Sequence, residues 1–201
     1  MELDFDDEAR KLFEVLHLLP DAQRKMYNAL GKSFTIISNG YSYECKDAVY
    51  KHQETGACLY IGNENSSKDR ETLAYKGIAG IINCTETIPL YMENEIVCSR
   101  FHISNWMREL GRNPSTETLI AYFQTAFLEI DSALETGDSV LVHCLAGAHR
   151  AGTFGVCYVL YKNPELNFVQ VLAILKTIRP IINPISLLKE LALMYDKSLK
   201  A

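Results

Sequence analysis

The sequence predicts an α/β fold with a central, mixed and mostly parallel sheet that is flanked by helices. Two observations support this prediction. From residue 57 onward, short apolar segments alternate with longer amphipathic ones, which is typical of strands joined by crossover helices. The chain of 201 residues is 48% hydrophobic and 22% charged, which suits one large globular domain. No apolar run approaches the roughly 18 residues of a membrane span, so we expect no membrane association.

The first fifty residues are predicted to form an N-terminal helical extension, and residues 51–201 the domain with the functional site. Helices are expected over 8–19 and 21–30, followed by irregular structure over 33–50. An apolar stripe on the first helix, made by Leu12, Leu16 and Leu19, predicts that the extension packs on the domain and borders its cleft.

Four buried strands are predicted in the domain, over 58–61, 78–84, 96–103 and 139–142. Helices separate and follow these strands. The first opens at a capping box from Ser66 to Asp69 and ends at Gly77. The others span 116–134, 151–162, 168–178 and 187–199.

Two further local predictions concern the ends of these elements. Residues 104–115, which contain Gly111 and Pro114, are expected to form a polar loop, and Ser186 is expected to cap the last helix. Ligands of such sheets gather beyond the carboxyl ends of the strands, so the residues that follow each strand are candidates for a site.

Charge and cysteine usage exclude several classes of function. The net charge is −5, and five acidic residues lie within the first eight positions, so the rest of the chain is neutral. It therefore lacks the basic surface that a nucleic-acid binder needs. The six cysteines have irregular spacing without a C-x-x-C motif, which predicts no zinc site and a reducing compartment. Without a secretion signal, the expected location is the cytoplasm, with the nucleus as an alternative.

The most informative segment follows the fourth predicted strand. The strand ends at His143-Cys144, five residues follow, and Arg150 directly precedes the next predicted helix. The intervening loop is small and contains a glycine, and it consists of Leu145, Ala146, Gly147, Ala148 and His149. Composition alone would produce His-Cys-x5 followed by Lys or Arg about 0.014 times in such a chain, and about 0.0008 times with the glycine in place. The pattern is therefore too specific to be a coincidence.

Each part of this segment has a chemical role. Loop N–H groups, a helix N-terminus and the Arg150 guanidinium all favour the thiolate form of Cys144. The same N–H groups form a concave site for an anion such as a phosphoryl group, and Arg150 adds two parallel donors. The segment therefore predicts a cysteine nucleophile located where a phosphate dianion binds.

His143-Cys144-x5-Arg150 resembles the motif of the cysteine-based protein tyrosine phosphatases, and the lead-in and compact size resemble their dual-specificity branch. The resemblance covers residues 57–199. It includes Leu59-Tyr60-Ile61-Gly62-Asn63, the passage from Gly77 to Asn83, and Arg179-Pro180-Ile181-Ile182-Asn183-Pro184. It implies a phosphatase-like sheet of about five strands and a catalytic domain over residues 51–201.

By resemblance, Cys144 is the nucleophile, and Leu145, Ala146, Gly147, Ala148, His149 and Arg150 bind the phosphate. Neither a metal nor another cofactor is implied. The implied activity is hydrolysis of phosphotyrosine, with phosphoserine and phosphothreonine as further substrates, through a cysteinyl-phosphate intermediate. The implied partner is a phosphorylated protein, and nothing in the sequence indicates an oligomeric state.

Two positions depart from the family pattern. Asn105 stands where the family has a general-acid aspartate, and an amide cannot donate that proton. Glu109, Glu117 and His102 are candidates to replace it, or are solvated residues. Ala151 stands where the family has a serine or threonine that helps the sulfur leave, and Thr153 either supplies that hydroxyl or packs within the helix.

The remaining side chains near the motif have two interpretations each. His143 orients the loop and promotes the thiolate, or is a buried histidine bonded to backbone. His149 adds positive charge, or points to solvent. Trp106, Arg108 and Arg112 grip the substrate beside the cleft, or belong to a plain surface loop.

The departures leave two alternatives to a fast protein phosphatase. The first is a pseudophosphatase, which binds phosphorylated partners without turnover. The second is a phosphatase of non-protein phosphomonoesters, against which the neutral body of the chain argues. Loss of general-acid catalysis typically costs 10²- to 10⁴-fold in rate, so a slow enzyme that favours aryl phosphates is also expected.

Overall fold

The structure is a computed structural model of the chain, and it describes residues 36–37, 40–41 and 46–201. The helices predicted over 8–19 and 21–30 lie outside the described residues. Strands β1 (Ile36–Ile37) and β2 (Gly40–Tyr41) form a short antiparallel pair of their own.

Five longer strands form the central sheet in the order β3-β4-β7-β5-β6. They are β3 (Lys46–Lys51), β4 (Cys58–Gly62), β5 (Ile78–Asn83), β6 (Val97–Arg100) and β7 (Ser139–His143). β3 runs antiparallel to β4, and every other neighbouring pair is parallel. The predicted mixed, mostly parallel sheet of about five strands is confirmed.

Six α-helices lie within residues 46–201. They are α1 (Arg70–Tyr75), α2 (Trp106–Leu110), α3 (Thr116–Thr136), α4 (Arg150–Lys162), α5 (Phe168–Ile178) and α6 (Ser186–Ser198). α5 matches its predicted range, because an Asn167–Gln170 capping box fixes its start. α3 starts at Ser115, whose hydroxyl caps Thr118, and ends at Gly137 in the left-handed region, with φ of 95°. No helix among the described residues is both long and apolar enough to cross a membrane.

The sheet separates two hydrophobic clusters because strand side chains alternate between its faces. Leu59 and Ile61 of β4 belong to the large cluster, together with buried side chains of helices α3, α4, α5 and α6. Cys58 and Tyr60 belong to a smaller cluster that includes Leu73 of α1. The sheet is thus covered on both faces, and its central strand β7 is buried throughout.

The strand β3 was not predicted, and it lies within the range assigned to the N-terminal extension. Its sequence begins with Lys46 and Asp47, which hides the strand from a search for apolar segments. Both residues are nevertheless buried, at 4% and 5% exposure. The sheet therefore starts at Lys46, five residues before the predicted domain boundary.

The loop predicted over 104–115 is partly helical, which corrects that prediction. A 3₁₀ turn over Ile103–Asn105 leads into α2. Trp106 is fully buried in the large cluster, so it neither grips substrate nor lies on a surface loop. Burial of this large ring fixes the short helix against the core. The sequence did not predict the helix because Gly111 and Pro114 favour a loop and the packing of Trp106 is a tertiary effect. Arg108 is exposed, as is Arg112.

Two predicted caps are wrong. The cap of α1 is Asp69, whose carboxylate accepts the Thr72 N–H at 3.1 Å, whereas Ser66 lies in a separate 3₁₀ turn over Glu64–Ser67. Ser186 does not cap α6, because it is the first helical residue and has a φ of 46°. α1 thus begins four residues after Ser66, whereas α6 begins at Ser186 itself, one residue earlier than predicted.

Candidate active site

The carboxyl ends of three parallel strands position the candidate site. β7 lies between β4 and β5, and Gly62, His143 and Asn83 stand side by side at their last paired positions. Cys144 follows β7 directly and is 2% exposed. The loop over 145–149 then leads into Arg150, the first residue of α4. The structure thus brings the predicted nucleophile, loop and arginine together at the carboxyl ends of the parallel strands, where such sheets bind their ligands.

The backbone of the loop is held from outside at four consecutive carbonyl groups. The Leu145 oxygen accepts from the N–H of Glu64 at 3.1 Å, and the Ala148 oxygen accepts from the N–H of Asn183 at 3.0 Å. The Ala146 and Gly147 oxygens both accept from the Arg179 guanidinium, at 3.0 Å each.

These four anchors determine where the loop N–H groups point. In a planar trans peptide the N–H lies opposite the C=O, so the N–H groups of residues 146–149 face the inside of the loop. One of them reaches the sulfur, since the Gly147 N–H donates to Cys144 Sγ at 3.3 Å. The loop is therefore a concave set of donors around a thiol, suited to bind an anion.

Only glycine fits at position 147. Its φ is +70°, in the left-handed region. A Cβ there would lie 2.5 Å from the Gly62 carbonyl oxygen and 2.7 Å from Nη2 of Arg179. The glycine therefore allows the close approach of the loop to β4 and to the arginine that anchors it.

Arg179 anchors the loop, a role that its place in the segment from Arg179 to Pro184 does not predict. It follows α5, is fully buried, and forms an ion pair with Asp47 of β3 at 2.9 Å between Nη1 and Oδ2. Asp47 thus compensates the charge of a buried guanidinium whose other donors bind the loop.

Arg150 meets an acidic partner that was also not predicted. Its Nη1 lies 3.5 Å from Oε2 of Glu86, and the two side chains are 27% and 37% exposed. Glu86 belongs to the turn that follows β5, the strand beside β7. The Arg150 guanidinium, which the resemblance implies binds phosphate, is therefore paired with the Glu86 carboxylate in this structure.

Comparisons with known proteins agree with this geometry. The family model described as dual specificity phosphatase, catalytic domain, matches residues 59–197. The chain belongs to the dual-specificity phosphatase family. The match spans the sheet from β4 onward, the loop and Arg179, so the recognition made from His143-Cys144-x5-Arg150 is confirmed.

Individual relatives in this family are distant. The zebrafish (Danio rerio) dual specificity protein phosphatase 22-B is 31% identical over 127 residues, which are 63% of this chain and 63% of that protein. Human (Homo sapiens) dual specificity protein phosphatase 9 is 34% identical over 110 residues, which are 52% of this chain and 26% of that protein. The match thus spans less than two thirds of the length of either relative.

A solved structure supports the fold. The crystal structure of human DUSP28 aligns with a TM-score of 0.60 and 17% identity, over 79% of this chain and 97% of that chain. At this identity the likeness concerns the sheet and its helices and carries no information about substrates.

The three candidates for the missing general acid of this dual-specificity phosphatase are exposed residues. His102 and Glu109 are exposed on either side of the half-buried Asn105. Glu117 is exposed in the first turn of α3, where a hydrogen bond with Ser115 lowers its pKa. The hydrogen bonds and ion pairs of the described residues link none of the three candidates to Cys144 or Arg150. No contact of the described residues therefore assigns the role to one of the three.

The Thr153 hydroxyl, which is the candidate to replace the hydroxyl missing at Ala151, already donates a hydrogen bond within the protein. Thr153 is buried, and its Oγ1 donates to the carbonyl oxygen of His149 at 2.6 Å. This favours the interpretation that Thr153 packs within α4. The His149 ring is exposed, and its Nδ1 lies 2.6 Å from the Asn183 carbonyl oxygen. His149 thus adds a further tie between the loop and the segment that leads to α6.

A second thiol lies behind the loop. Cys84 follows β5 as Cys144 follows β7, and its N–H donates to the His143 carbonyl at 2.8 Å. Complete burial raises the pKa of Cys84 well above its usual value, and the nearby Cys144 raises it further. Cys84 therefore remains a neutral thiol. No group of histidines, cysteines and acids within the described ranges is arranged to hold a metal ion.

His143 is buried and uncharged at neutral pH. Burial, the largest effect, lowers the pKa of His143 from 6.5 to about 4, against the opposing effects of the Cys144 backbone and of Glu64. The ring therefore adds no positive charge beside the sulfur. This favours a structural role for His143 over a role as a cation that promotes the thiolate.

We predict that this burial makes stability depend on pH. Between about pH 4 and pH 6.5, His143 is protonated in the unfolded state but neutral in the folded state, because its pKa is lowered from 6.5 to about 4. The free energy of unfolding should therefore fall by about 3 kcal/mol between these values and level off below them. Urea unfolding of the wild type and of His143→Asn at several pH values tests this, because carboxylates titrate in both proteins. Parallel stability curves for the two proteins would contradict it.

Proposed function

We propose that the chain is a protein phosphatase that hydrolyses phosphotyrosine, with phosphoserine and phosphothreonine as poorer substrates, through a phosphocysteine at Cys144. The observation that carries the proposal is the outward anchoring of four loop carbonyls, which directs the amides of residues 146–149 toward the inside of the loop. Family membership supports the same class of reaction. The loop thus supplies donors for the phosphoryl oxygens before the substrate arrives.

The proposed reaction has two steps. In the first, the Cys144 thiolate attacks phosphorus, an S–P bond forms, and the P–O bond to the leaving group breaks. The loop amides and the two parallel donors of Arg150 bind the equatorial oxygens while charge develops there. In the second step, water attacks phosphorus, the S–P bond breaks, and inorganic phosphate leaves with the thiolate regenerated.

The two departures from the family pattern affect different steps. Asn105 cannot protonate the leaving oxygen in the first step, and Ala151 offers no hydroxyl to the departing sulfur in the second. Loss of a general acid costs about 10²- to 10⁴-fold, and least for leaving groups that are stable as anions. We therefore propose a slow enzyme that prefers aryl over alkyl phosphates.

Turnover of matched phosphopeptides tests this function. Peptides that differ only in phosphotyrosine, phosphoserine or phosphothreonine should all release phosphate, with the tyrosine form faster by at least about tenfold, because a phenolate leaves more readily than an alkoxide. A phosphoinositide headgroup and a sugar phosphate serve as comparisons. Faster release from either than from phosphotyrosine would replace the protein substrate by a non-protein phosphomonoester.

One observation favours a second candidate, a pseudophosphatase that binds phosphorylated partners without turnover. The Arg150 guanidinium is paired with Glu86 and not with a phosphate. The general-acid aspartate is absent at position 105, and the hydroxyl that helps the sulfur leave is absent at position 151. Phosphopeptide binding without release of phosphate from any substrate would support it. Steady release that depends on Cys144 would exclude it.

A further inference from the structure

Glu86 stands at the site although none of the sequence segments that carry the family resemblance includes it. Of the carboxylates in residues 46–201, it is the one that forms an ion pair with Arg150, at 3.5 Å between Oε2 and Nη1. Its side chain is 37% exposed, so it lies at the rim of the site and remains free to rotate. The reaction proposed above lacks a proton donor, and a carboxyl group beside the phosphate clamp is chemically suited to that role.

The turn that carries Glu86 is held rigidly on both sides. Before it, Thr85 is buried, and both its N–H and its hydroxyl donate to Oδ1 of Asn83, at 2.9 and 2.8 Å. After it, the Ile88 carbonyl accepts from Nδ2 of Asn83 at 2.8 Å. Arg100 of β6 donates to the carbonyls of Thr85 and Ile88, at 2.7 Å each. Buried polar groups thus fix the backbone around one outward carboxylate at the end of β5, next to β7.

We infer that Glu86 is the general acid that replaces the aspartate missing at Asn105, an inference that rests on the phosphatase function proposed above. Without substrate, Glu86 pairs with Arg150. A bound phosphate dianion takes the donors of Arg150, since a bidentate pair with phosphate is stronger than the single 3.5 Å contact. The Glu86 carboxyl group is then released from Arg150 and lies beside the phosphoryl group, where it can give a proton to the leaving oxygen.

The proton balance follows from this exchange. In the first step the P–O bond breaks and the Glu86 proton moves to the leaving oxygen, which leaves as a neutral alcohol or phenol. In the second step the carboxylate accepts a proton from the water that attacks phosphorus, and Glu86 regains the proton it gave up. Thiolate and carboxyl group thus both return to their starting states.

A series of aryl phosphates with different leaving groups tests the inference. Glu86→Gln keeps the size of the side chain and removes the proton. Relative to the wild type, kcat/KM, which reports the first step and not the hydrolysis of the phosphocysteine, should fall by about 10²-fold or more for phenyl phosphate, and by less than about tenfold for 2,4-dinitrophenyl phosphate, whose leaving group needs no proton. Glu86→Asp should restore part of the loss. Glu93→Gln, an exposed glutamate in the same connection, is the matched control and should leave both rates unchanged.

The ratio of the two rates is measured on one preparation, so it does not depend on the fraction of folded protein. An equal loss for both substrates would show that Glu86 only orients Arg150, and no loss for either would show that the residue takes no part. Both outcomes overturn the inference while the phosphatase function stands. Failure of the wild type to exceed Cys144→Ser with any substrate would instead overturn the proposed function, and the role of Glu86 with it.

Discussion

Cys144→Ser should reduce the rate of phosphate release by at least about 10⁴-fold, because removal of an enzyme nucleophile typically has an effect of this size or greater. The Ser hydroxyl is similar in size but remains protonated and is a poor nucleophile. The loop amides and Arg150 are untouched, so the variant should still bind a phosphotyrosine peptide. Steady-state kinetics and titration calorimetry measure the two properties separately.

The matched control for this variant is Cys98→Ser. Cys98 is a half-buried cysteine of β6, and the same substitution there should leave turnover within about twofold. If Cys144→Ser retained the activity of the wild type, the sulfur would have no part in the reaction. If it lost phosphopeptide binding as well, the amides would not form a preorganised anion site.

Arg179→Met should lower the free energy of unfolding by about 3–5 kcal/mol, the usual cost of removing one partner of a buried ion pair. The guanidinium is fully buried, and its loss leaves Asp47 without this charged partner inside the protein. It also leaves the Ala146 and Gly147 carbonyls without their donors, so the loop amides should lose their fixed direction. Urea unfolding gives the change in stability, and kcat/KM of the folded protein gives the effect on the loop.

The exposed Arg108 provides the control, since Arg108→Met should change stability by no more than about 0.5 kcal/mol. Adding Asp47→Leu to Arg179→Met should recover part of the lost stability by removing the buried carboxylate, whereas the activity should stay low. A loss below about 1 kcal/mol for Arg179→Met would contradict the account of this arginine as the anchor of the loop.

The elements that the sequence predicted well have strong local determinants. α3 has a serine cap and a terminal glycine, and β7 has three consecutive apolar residues, Val140 to Val142, in the centre of the sheet. β3 and α2 were missed because tertiary contacts determine them. Asp47 makes β3 look polar although the residue is buried against Arg179, and Trp106 anchors α2 inside the core.

The site divides in the same way. Cys144, the loop and Arg150 are contiguous, so their spacing alone indicated a phosphate site. Arg179 and Glu86 act across long stretches of sequence, and only the order β3-β4-β7-β5-β6 brings them to the end of β7. A signal existed for Arg179, a charged residue at the end of an apolar helix and followed by Pro180. For Glu86 the signal was its position two residues after the strand predicted over 78–84.

The most direct test of the central claim is acid quenching of the wild type during turnover of a phosphotyrosine peptide, followed by peptide mapping. A phosphoryl group should be found on the proteolytic fragment of the protein that contains Cys144. It should form within the first turnover and be absent from Cys144→Ser. Phosphate release without any phosphorylated protein, or a phosphoryl group on another residue, would show that Cys144 does not receive the phosphoryl group.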